Sequence, residues 1–260
     1  MKIAIIGHGA IAQYVRGAIA AHKITEVAQI VRPGKEASVD GENAPRISNL
    51  NDLPERPDLI VDCGGHAALA AHGPVALALG IDVLTVSLGA LADPALETVL
   101  TKAALRGKAR LHLSSGAIGG LDALRGASVG AMSSVTYTGR KPPLGWKGSP
   151  AEAVLDLDTL AEPTVHFRGT ARQAALEYPK NANVAAAVAL AGIGFDRTTV
   201  ELIADPTVTA NIHEITAKGA FGSFRFTIAG NGLPENPRSS ALAAMSVVAS
   251  LFEQQKMVGF

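Results

Sequence analysis

Apolar and polar positions alternate in two different ways along the 260 residues of this chain. Over the first 115 or so residues, short apolar runs are separated by longer stretches with helical periodicity. This pattern predicts a parallel sheet with helices on both faces, because parallel strands are joined by crossover helices. The predicted strands span residues 2–6, 27–31, 58–63, 82–87 and 110–114. The predicted helices span residues 10–22, 66–79 (interrupted at Gly73 and Pro74) and 94–106 (capped by Asp93).

From about Ala131 the chain becomes rich in β-like runs of Thr, Val and Phe. These runs span residues 133–140, 164–169, 198–204, 207–216 and 221–229. They predict an α+β domain built on an open, mainly antiparallel sheet. Residues 238–253 return to helical periodicity, and we expect this segment to pack on the first domain. The alternative is a helix that belongs wholly to the second domain.

The first predicted strand leads directly into Gly7-His8-Gly9-Ala10-Ile11-Ala12, a G-x-G-x-x-A pattern followed by an amphipathic helix. In this context Gly7 permits a tight turn, Gly9 lets the backbone approach a pyrophosphate, and the small Ala12 lets the helix lie close to the strand. The helix N-terminus supplies N–H groups to the phosphates. We therefore predict that Gly7, Gly9, Ala10 and Ile11 contact a dinucleotide, the alternative being a purely structural turn.

The second strand indicates which nicotinamide nucleotide is used. An NAD-specific fold places an acidic residue at the end of this strand to bind the ribose hydroxyls. Here Glu26 precedes the predicted strand and Arg32 follows it. A guanidinium pairs with a 2′-phosphate, so we predict NADP as cofactor with NAD tolerated. The alternative is that Arg32 is a solvated loop charge.

Two further glycine-rich segments are candidates for cofactor contact. Gly64 follows the third strand, where ligands bind in open α/β sheets. Ala117 lies between glycines in the segment 114–120, which is either a close approach to a flat ring or a hinge. We thus predict an α/β chain with a Rossmann-type domain at residues 1–115 plus 236–260 and an α+β substrate and dimerisation domain at 116–235.

Charge and cysteine content limit the classes of partner and the cellular location that we expect. Lys and Arg number 23, as do Asp and Glu, so we expect neither nucleic acid nor an anionic membrane as partner. The single Cys63 excludes an intrachain disulfide and fits a reducing cytoplasm. The apolar segments are too short or interrupted to be an export signal or a membrane span, which also favours a cytoplasmic location. The histidines lack metal-ligand spacing, so no metal is expected.

The predicted strand 207–216 carries candidate chemistry. Its alternation puts Thr209, Asn211 and His213 on one face, which we therefore predict to be polar. A histidine there is a candidate proton-transfer group, and a structural histidine is the alternative.

Taken together, four segments resemble the L-aspartate dehydrogenase family along the whole chain. They are the glycine turn at 7–12, Ser115-Gly116-Ala117-Ile118-Gly119-Gly120, Tyr178-Pro179-Lys180-Asn181-Ala182-Asn183-Val184 and Asn211-Ile212-His213-Glu214-Ile215. The resemblance implies that Ala117 and Asn183 contact the cofactor and that His213 is the active-site histidine.

The resemblance further implies oxidation of L-aspartate by NAD(P)+ to oxaloacetate and ammonia, through iminoaspartate, a precursor of the nicotinamide ring. It also implies a homodimer. We expect His213 to activate the water that attacks the imine or to accept a proton from the amine. Candidates for binding the two substrate carboxylates are Lys180, Arg140, Lys141, Ser239 and Ser240.

Two other functions remain open from the sequence. One is a related imine or semialdehyde reductase, such as a dihydrodipicolinate reductase or a homoserine dehydrogenase, although the double-histidine motif of the former is absent. The other is a non-catalytic NADP-binding sensor. The fold alone does not choose among them.

Overall fold

The structure is a computed structural model that describes residues 1–37, 44–179 and 182–258. It divides into two compact units. The first comprises Met1–Ala90, Pro94–Ser114 and Ala243–Phe260, and the second comprises Leu91–Asp93 and Ser115–Leu242.

The first unit contains a six-stranded parallel sheet in the order β3-β2-β1-β4-β5-β6. Its strands are β1 Lys2–Ile6, β2 Thr25–Ile30, β3 Arg46–Ile47, β4 Leu59–Asp62, β5 Asp82–Thr85 and β6 Leu111–Leu113. Every residue of β4 is buried, as expected for a central strand covered on both faces. The predicted Rossmann-type sheet is confirmed.

Three helices follow strands of this sheet: α1 Ala10–Ile19, α2 His66–Ala78 and α3 Pro94–Gly107. The expected interruption of α2 was wrong, because this helix continues through Pro74. Gly73 has a packing role instead, since a Cβ there would lie 2.9 Å from Leu100 Cδ2 on α3 and 3.0 Å from Leu69 Cδ1. The glycine therefore lets α2 and α3 pack closely.

The second unit contains a five-stranded sheet in the order β11-β10-β7-β9-β8. Its strands are β7 Met132–Lys141, β8 Thr164–Thr170, β9 Thr199–Ala204, β10 Asn211–Gly219 and β11 Gly222–Gly230. Only β7 and β9 pair in parallel, so the predicted mainly antiparallel sheet is confirmed. A two-stranded ribbon follows, made of β12 Gly232–Leu233 and β13 Asn236–Ser240.

Three helices accompany this sheet, α4 Leu121–Ser128, α5 Ala171–Glu177 and α6 Ala182–Ala191. Helices α4 and α5 lie outside the elements that the apolar pattern predicts. Helix α5 begins with a capping box in which Thr170 accepts from the Gln173 N–H and the Gln173 side chain accepts from the Thr170 N–H. This local signal could have located it.

Two predicted boundaries were wrong for identifiable reasons. Strand β10 begins at Asn211 instead of residue 207, because the Asp205 carboxylate accepts hydrogen bonds from Thr207 N and Oγ1 and closes a turn. The final helix, α7 Ala241–Glu253, begins later than residue 238, because the residues before it pair as β13. Within the first unit, Ser246 Oγ on α7 lies 2.6 Å from Ser114 Oγ.

Candidate functional site

The turn between β1 and α1 requires glycine. Gly7 has a φ of +103°, and a Cβ there would lie 2.9 Å from Gly64 Cα and 3.0 Å from the Cys63 carbonyl carbon. Gly9 precedes α1, and a Cβ at Gly9 would meet no heavy atom within 4 Å, so its outer face is open to a ligand. Ala10 and Ile11 follow as the first residues of the helix. These are the positions at which a pyrophosphate binds a dinucleotide fold.

A cavity of about 660 Å³ opens beside this turn. Gly7, Gly9 and Gly64 line one part of it. Another part is lined by three basic side chains: Arg32 and Lys35, which follow β2, and Arg46, the first residue of β3. The cavity thus combines glycine backbone with positive charge, as a phosphorylated nucleotide requires.

Glu26 on β2 is engaged in an ion pair within the fold. The Arg16 guanidinium on α1 donates to both Glu26 carboxylate oxygens at 2.9–3.1 Å and to the Gly7 carbonyl oxygen at 3.2 Å. Both side chains are largely buried. Glu26 therefore ties α1 to β2 beneath the glycine turn.

A buried carboxylate holds the chain after β4 in place. Asp62 accepts hydrogen bonds from the Gly64 N–H at 2.9 Å and from the Thr85 and Ser87 hydroxyls at 2.7 Å. Burial raises the pKa of Asp62, which these donors oppose. The network fixes Gly64 against Gly7, a contact that is not predictable from the sequence because it joins two distant loops.

The second candidate region lies on β10 in the second unit. His213 is only 6% exposed and pairs in register with Gly139 on β7. It shares its sheet face with the buried Ile215 and Ala217, so the prediction that this face is polar was wrong. That prediction had relied on Thr209 and Asn211 beside His213, and Thr209 precedes the strand.

Residues of β7 on the same face surround this histidine. The Tyr137 Oη atom lies 2.8 Å from His213 Nδ1. A Cβ at Gly139 would lie 2.8 Å from that same Tyr137 oxygen, so the glycine leaves room for the pair. Lys141, two residues further along, places its Nζ 4.9 Å from the centroid of the Trp146 ring.

Burial and one cation determine the protonation of this region. Burial lowers the pKa of Lys141 to about 8. Burial, aided by the Lys141 charge, lowers the pKa of His213 to about 4 and that of His166 on β8 to about 4. Both histidines are therefore neutral at pH 7.

His166 belongs to an aromatic cluster beside Lys141. Its Nδ1 lies 3.2 Å from Tyr178 Oη, and its ring meets that of Trp146 at 4.4 Å between centroids. The Trp146 Nε1–H donates to the Ile203 carbonyl. The sequence alone does not group His166, Trp146 and Tyr137, because they lie on separate elements.

The other predicted substrate-binding residues lie elsewhere in the second unit. Arg140 follows Gly139 and so projects from the opposite sheet face, where its Nη1 pairs with Asp205 Oδ2 at 2.5 Å. Ser239 and Ser240 lie half-buried on β13. Lys180 lies outside the described residues.

The two remaining predicted cofactor residues also lie in this unit. Ala117 is buried ahead of α4, in a segment where a Cβ at Gly119 would meet the Phe226 ring at 2.8 Å. Asn183 lies half-buried in the first turn of α6.

No group of three or more His, Cys, Asp or Glu side chains among the described residues is arranged to hold a metal ion. No helix in the described part of the chain is long and apolar enough to cross a membrane.

Each of the two units matches a known protein family. The model of the C-terminal domain of aspartate dehydrogenase matches residues 122–254, and that of the NAD-binding domain of homoserine dehydrogenase matches residues 7–114. The chain is 57% identical to the L-aspartate dehydrogenase of Ruegeria pomeroyi, over 96% of this chain and 91% of the relative. It is 48% identical to that of a Polaromonas species, over 98% and 97% respectively.

Solved structures agree with this result. The crystal structure of aspartate dehydrogenase from Thermotoga maritima matches with a TM-score of 0.80 at 26% identity and covers 100% of this chain and 99% of its own. Dipicolinate-bound dihydrodipicolinate reductase from a Paenisporosarcina species matches at 0.53 with 14% identity, covering 97% and 92%. The latter similarity concerns the fold alone.

Proposed function

The chain belongs to the L-aspartate dehydrogenase family, and from that membership we propose that it catalyses the oxidative deamination of L-aspartate. L-Aspartate, water and NAD(P)+ give oxaloacetate, ammonia and NAD(P)H, with iminoaspartate as intermediate. The observation that carries this proposal is the cluster on one face of the second sheet, where neutral His213 and cationic Lys141 flank Gly139. A cation and a neutral hydrogen-bonding group suit a substrate with two carboxylates.

The first unit is an NAD(P)-binding domain. Its residues fit such a nucleotide, because Gly7 and Gly64 approach too closely for side chains and the outer face of Gly9 is open. We assign Gly7, Gly9, Ala10, Ile11 and Gly64 to this cofactor, and Ala117 and Asn183 by the family resemblance. When bound, the nicotinamide supplies the acceptor for the hydride that leaves C2 of aspartate.

We propose that the protein prefers NADP, and that the basic part of the cavity causes this preference. Arg32 carries the recognition of the 2′-phosphate, and Lys35 and Arg46 line the same cavity and add positive charge. Glu26 lies near the start of β2 and pairs with Arg16, which supports this assignment because it offers no carboxylate to the ribose hydroxyls at the end of that strand. NAD is accepted less well, since it lacks that phosphate.

We assign Lys141 to the binding of one substrate carboxylate. It shares the face of His213, whereas Arg140 projects from the other face and pairs with Asp205. A carboxylate beside a partly desolvated ammonium forms a strong, charge-assisted hydrogen bond. Ser239 and Ser240 remain candidates for the other carboxylate.

We also propose a homodimer, as the family resemblance implies. Light scattering coupled to size-exclusion chromatography measures this directly, and a monomeric mass at micromolar concentration would contradict it.

The decisive experiment is reduction of NADP+ or NAD+ followed by absorbance, with L-aspartate, D-aspartate, L-glutamate, L-homoserine and L-alanine supplied in parallel. We expect reduction with L-aspartate alone, and oxidation of NADPH by oxaloacetate plus ammonia. His213→Ala should lower kcat by roughly 10²-fold, as for loss of one hydrogen-bonding group at the reacting centre. The exposed His22→Ala is the matched control. Tight nucleotide binding without turnover on any substrate would favour a different imine reductase or a sensor.

A further inference from the structure

The hydroxyl of Tyr137 is buried in the second unit with one polar partner. The residue is 2% exposed, and burial raises the pKa of its phenol, so it stays protonated. Among the described residues, His213 Nδ1 is the hydrogen-bond partner of this oxygen, at 2.8 Å. Buried hydroxyls that fail to donate are costly, so the direction of this hydrogen bond is constrained.

Only one arrangement of hydrogens satisfies both groups. A neutral imidazole carries a hydrogen on one nitrogen and a lone pair on the other. If Nδ1 carried the hydrogen, it would donate to the Tyr137 oxygen, and the phenolic hydrogen would have no acceptor among the described residues. If Tyr137 donates to the Nδ1 lone pair, both groups are satisfied and the ring hydrogen lies on Nε2.

We propose that Tyr137 is a positioning residue that holds His213 as the tautomer with hydrogen on Nε2, so that His213 meets the substrate as a hydrogen-bond donor and not as a base. This rests on the proposed function only in taking His213 to contact aspartate. The donor role corrects the expectation that His213 activates water or deprotonates the amine, because both of those tasks need a lone pair on Nε2.

The chemistry of the substrate agrees with a donor. Aspartate presents two carboxylates, and the adduct formed when water attacks the imine carries an oxygen on C2. Nε2 has no hydrogen-bond partner among the described residues, so its hydrogen is available to such an oxygen. Lys141, which also lowers the pKa of His213, provides a second donor on the same face. Together they offer two hydrogen-bond donors to oxygen acceptors.

Gly139 makes this arrangement possible. It pairs in register with His213 and lies two residues from Tyr137 on β7, where any Cβ would approach the tyrosine oxygen to 2.8 Å. The glycine thus lets the phenol lean across the strand to reach Nδ1.

The first test reads the tautomer directly. The full-length protein, labelled with ¹⁵N-histidine, is studied by two-bond ¹H–¹⁵N NMR at pH 7. We expect His213 to show a protonated Nε2 and an unprotonated, hydrogen-bonded Nδ1. In Tyr137→Phe the Nδ1 resonance should move to the position of a nitrogen that accepts no hydrogen bond. Tyr178→Phe, which removes the equivalent partner of His166, should leave the His213 resonances in place.

A protonated Nδ1 in the wild-type protein would overturn the proposal. This result is independent of turnover, so it separates failure of the tautomer assignment from failure of the aspartate dehydrogenase assignment.

The second test separates a donor from a base. Glutamine at 213 can present an amide N–H near the position of Nε2 but cannot accept a proton there. We expect His213→Gln to recover about tenfold or more of the kcat lost in His213→Ala, as for one restored hydrogen bond. Tyr137→Phe should lower kcat about tenfold with a smaller change in KM. Equal activity of the Gln and Ala variants would contradict the donor role.

Discussion

Lys141 carries a positive charge in a largely desolvated position. Its ammonium lies over the Trp146 ring, and its charge acts on both His213 and His166. Burial alone lowers its pKa to about 8. A carboxylate bound beside it would favour the charged form, so ligand binding and protonation of this residue are linked.

The linkage predicts how a dicarboxylate binds as pH changes. Succinate has both carboxylates but no amine, so its inhibition constant reports the protein groups. Below about pH 8 Lys141 is charged, and above it the charge is lost, so the inhibition constant should rise as pH increases from 8 to 9.5. In Lys141→Arg the inhibition constant of succinate should not change over this pH range, because the guanidinium remains charged.

Lys141→Met should weaken succinate binding most below pH 8 and leave an inhibition constant that varies little with pH, whereas Lys147→Met, at an exposed lysine, should behave as wild type. Inhibition by succinate that does not vary with pH in the wild-type protein would exclude Lys141 as the carboxylate partner.

Arg32 provides the corresponding prediction for the cofactor. Arg32→Ala should lower kcat/KM with NADP+ by at least about tenfold, the value of one charge-assisted hydrogen bond, and change that with NAD+ by less than about twofold. Steady-state kinetics with both nucleotides checks this. The exposed Arg106→Ala is the control. An equal loss with both nucleotides would show that Arg32 does not read the 2′-phosphate.

At the level of elements, β7 organises the second candidate region. Its alternate residues Val135, Tyr137, Gly139 and Lys141 share one face, and the register with β10 puts His213 opposite the glycine. The sequence predicts this strand to within one residue at each end, because its alternation is clear. The register is not predictable in the same way, since it depends on pairing with β10 some seventy residues later.

Gly139→Ala tests whether this register matters for catalysis. The added Cβ forces the Tyr137 hydroxyl to move, so kcat should fall about tenfold, as in Tyr137→Phe. In the Tyr137→Phe background, the same substitution should cost little more, because the hydrogen bond is already absent.

Gly126→Ala on α4, where a Cβ meets no neighbour, controls for the substitution itself. Additive losses in the double variant would mean that the glycine acts through some other contact.

For the molecule as a whole, features that form within a short stretch of sequence were predictable, and features that join distant residues were not. The first unit was predictable because buried parallel strands are continuous apolar runs and its phosphate-binding turn lies within six residues. The second region joins Tyr137, His166 and His213 from three strands, and the sequence alone suggested only the histidine on β10. The polar face was misjudged because the turn closed by Asp205 shortens that strand.

The buried histidines also predict how stability depends on pH. His213 and His166 have pKa values of about 4 in the folded protein, against an ordinary value of 6.5. The unfolded chain therefore takes up protons first as pH falls. The free energy of unfolding should decrease between pH 6.5 and 4, and their contribution should level off below that. For the nearly fully buried His213 the shift corresponds to about 3 kcal/mol.

Urea unfolding at pH 7, 5.5 and 4.5 measures this loss. His213→Gln removes the titrating group, so its free energy of unfolding should fall less between pH 7 and 4.5 than that of the wild type. His22→Gln, at a solvent-exposed histidine, should follow the wild-type curve. Because carboxylates titrate in all three proteins, the difference between the curves isolates the imidazole at 213. If His213→Gln loses stability in acid as steeply as the wild type, then His213 is not a buried neutral imidazole, and the tautomer held by Tyr137 is contradicted as well.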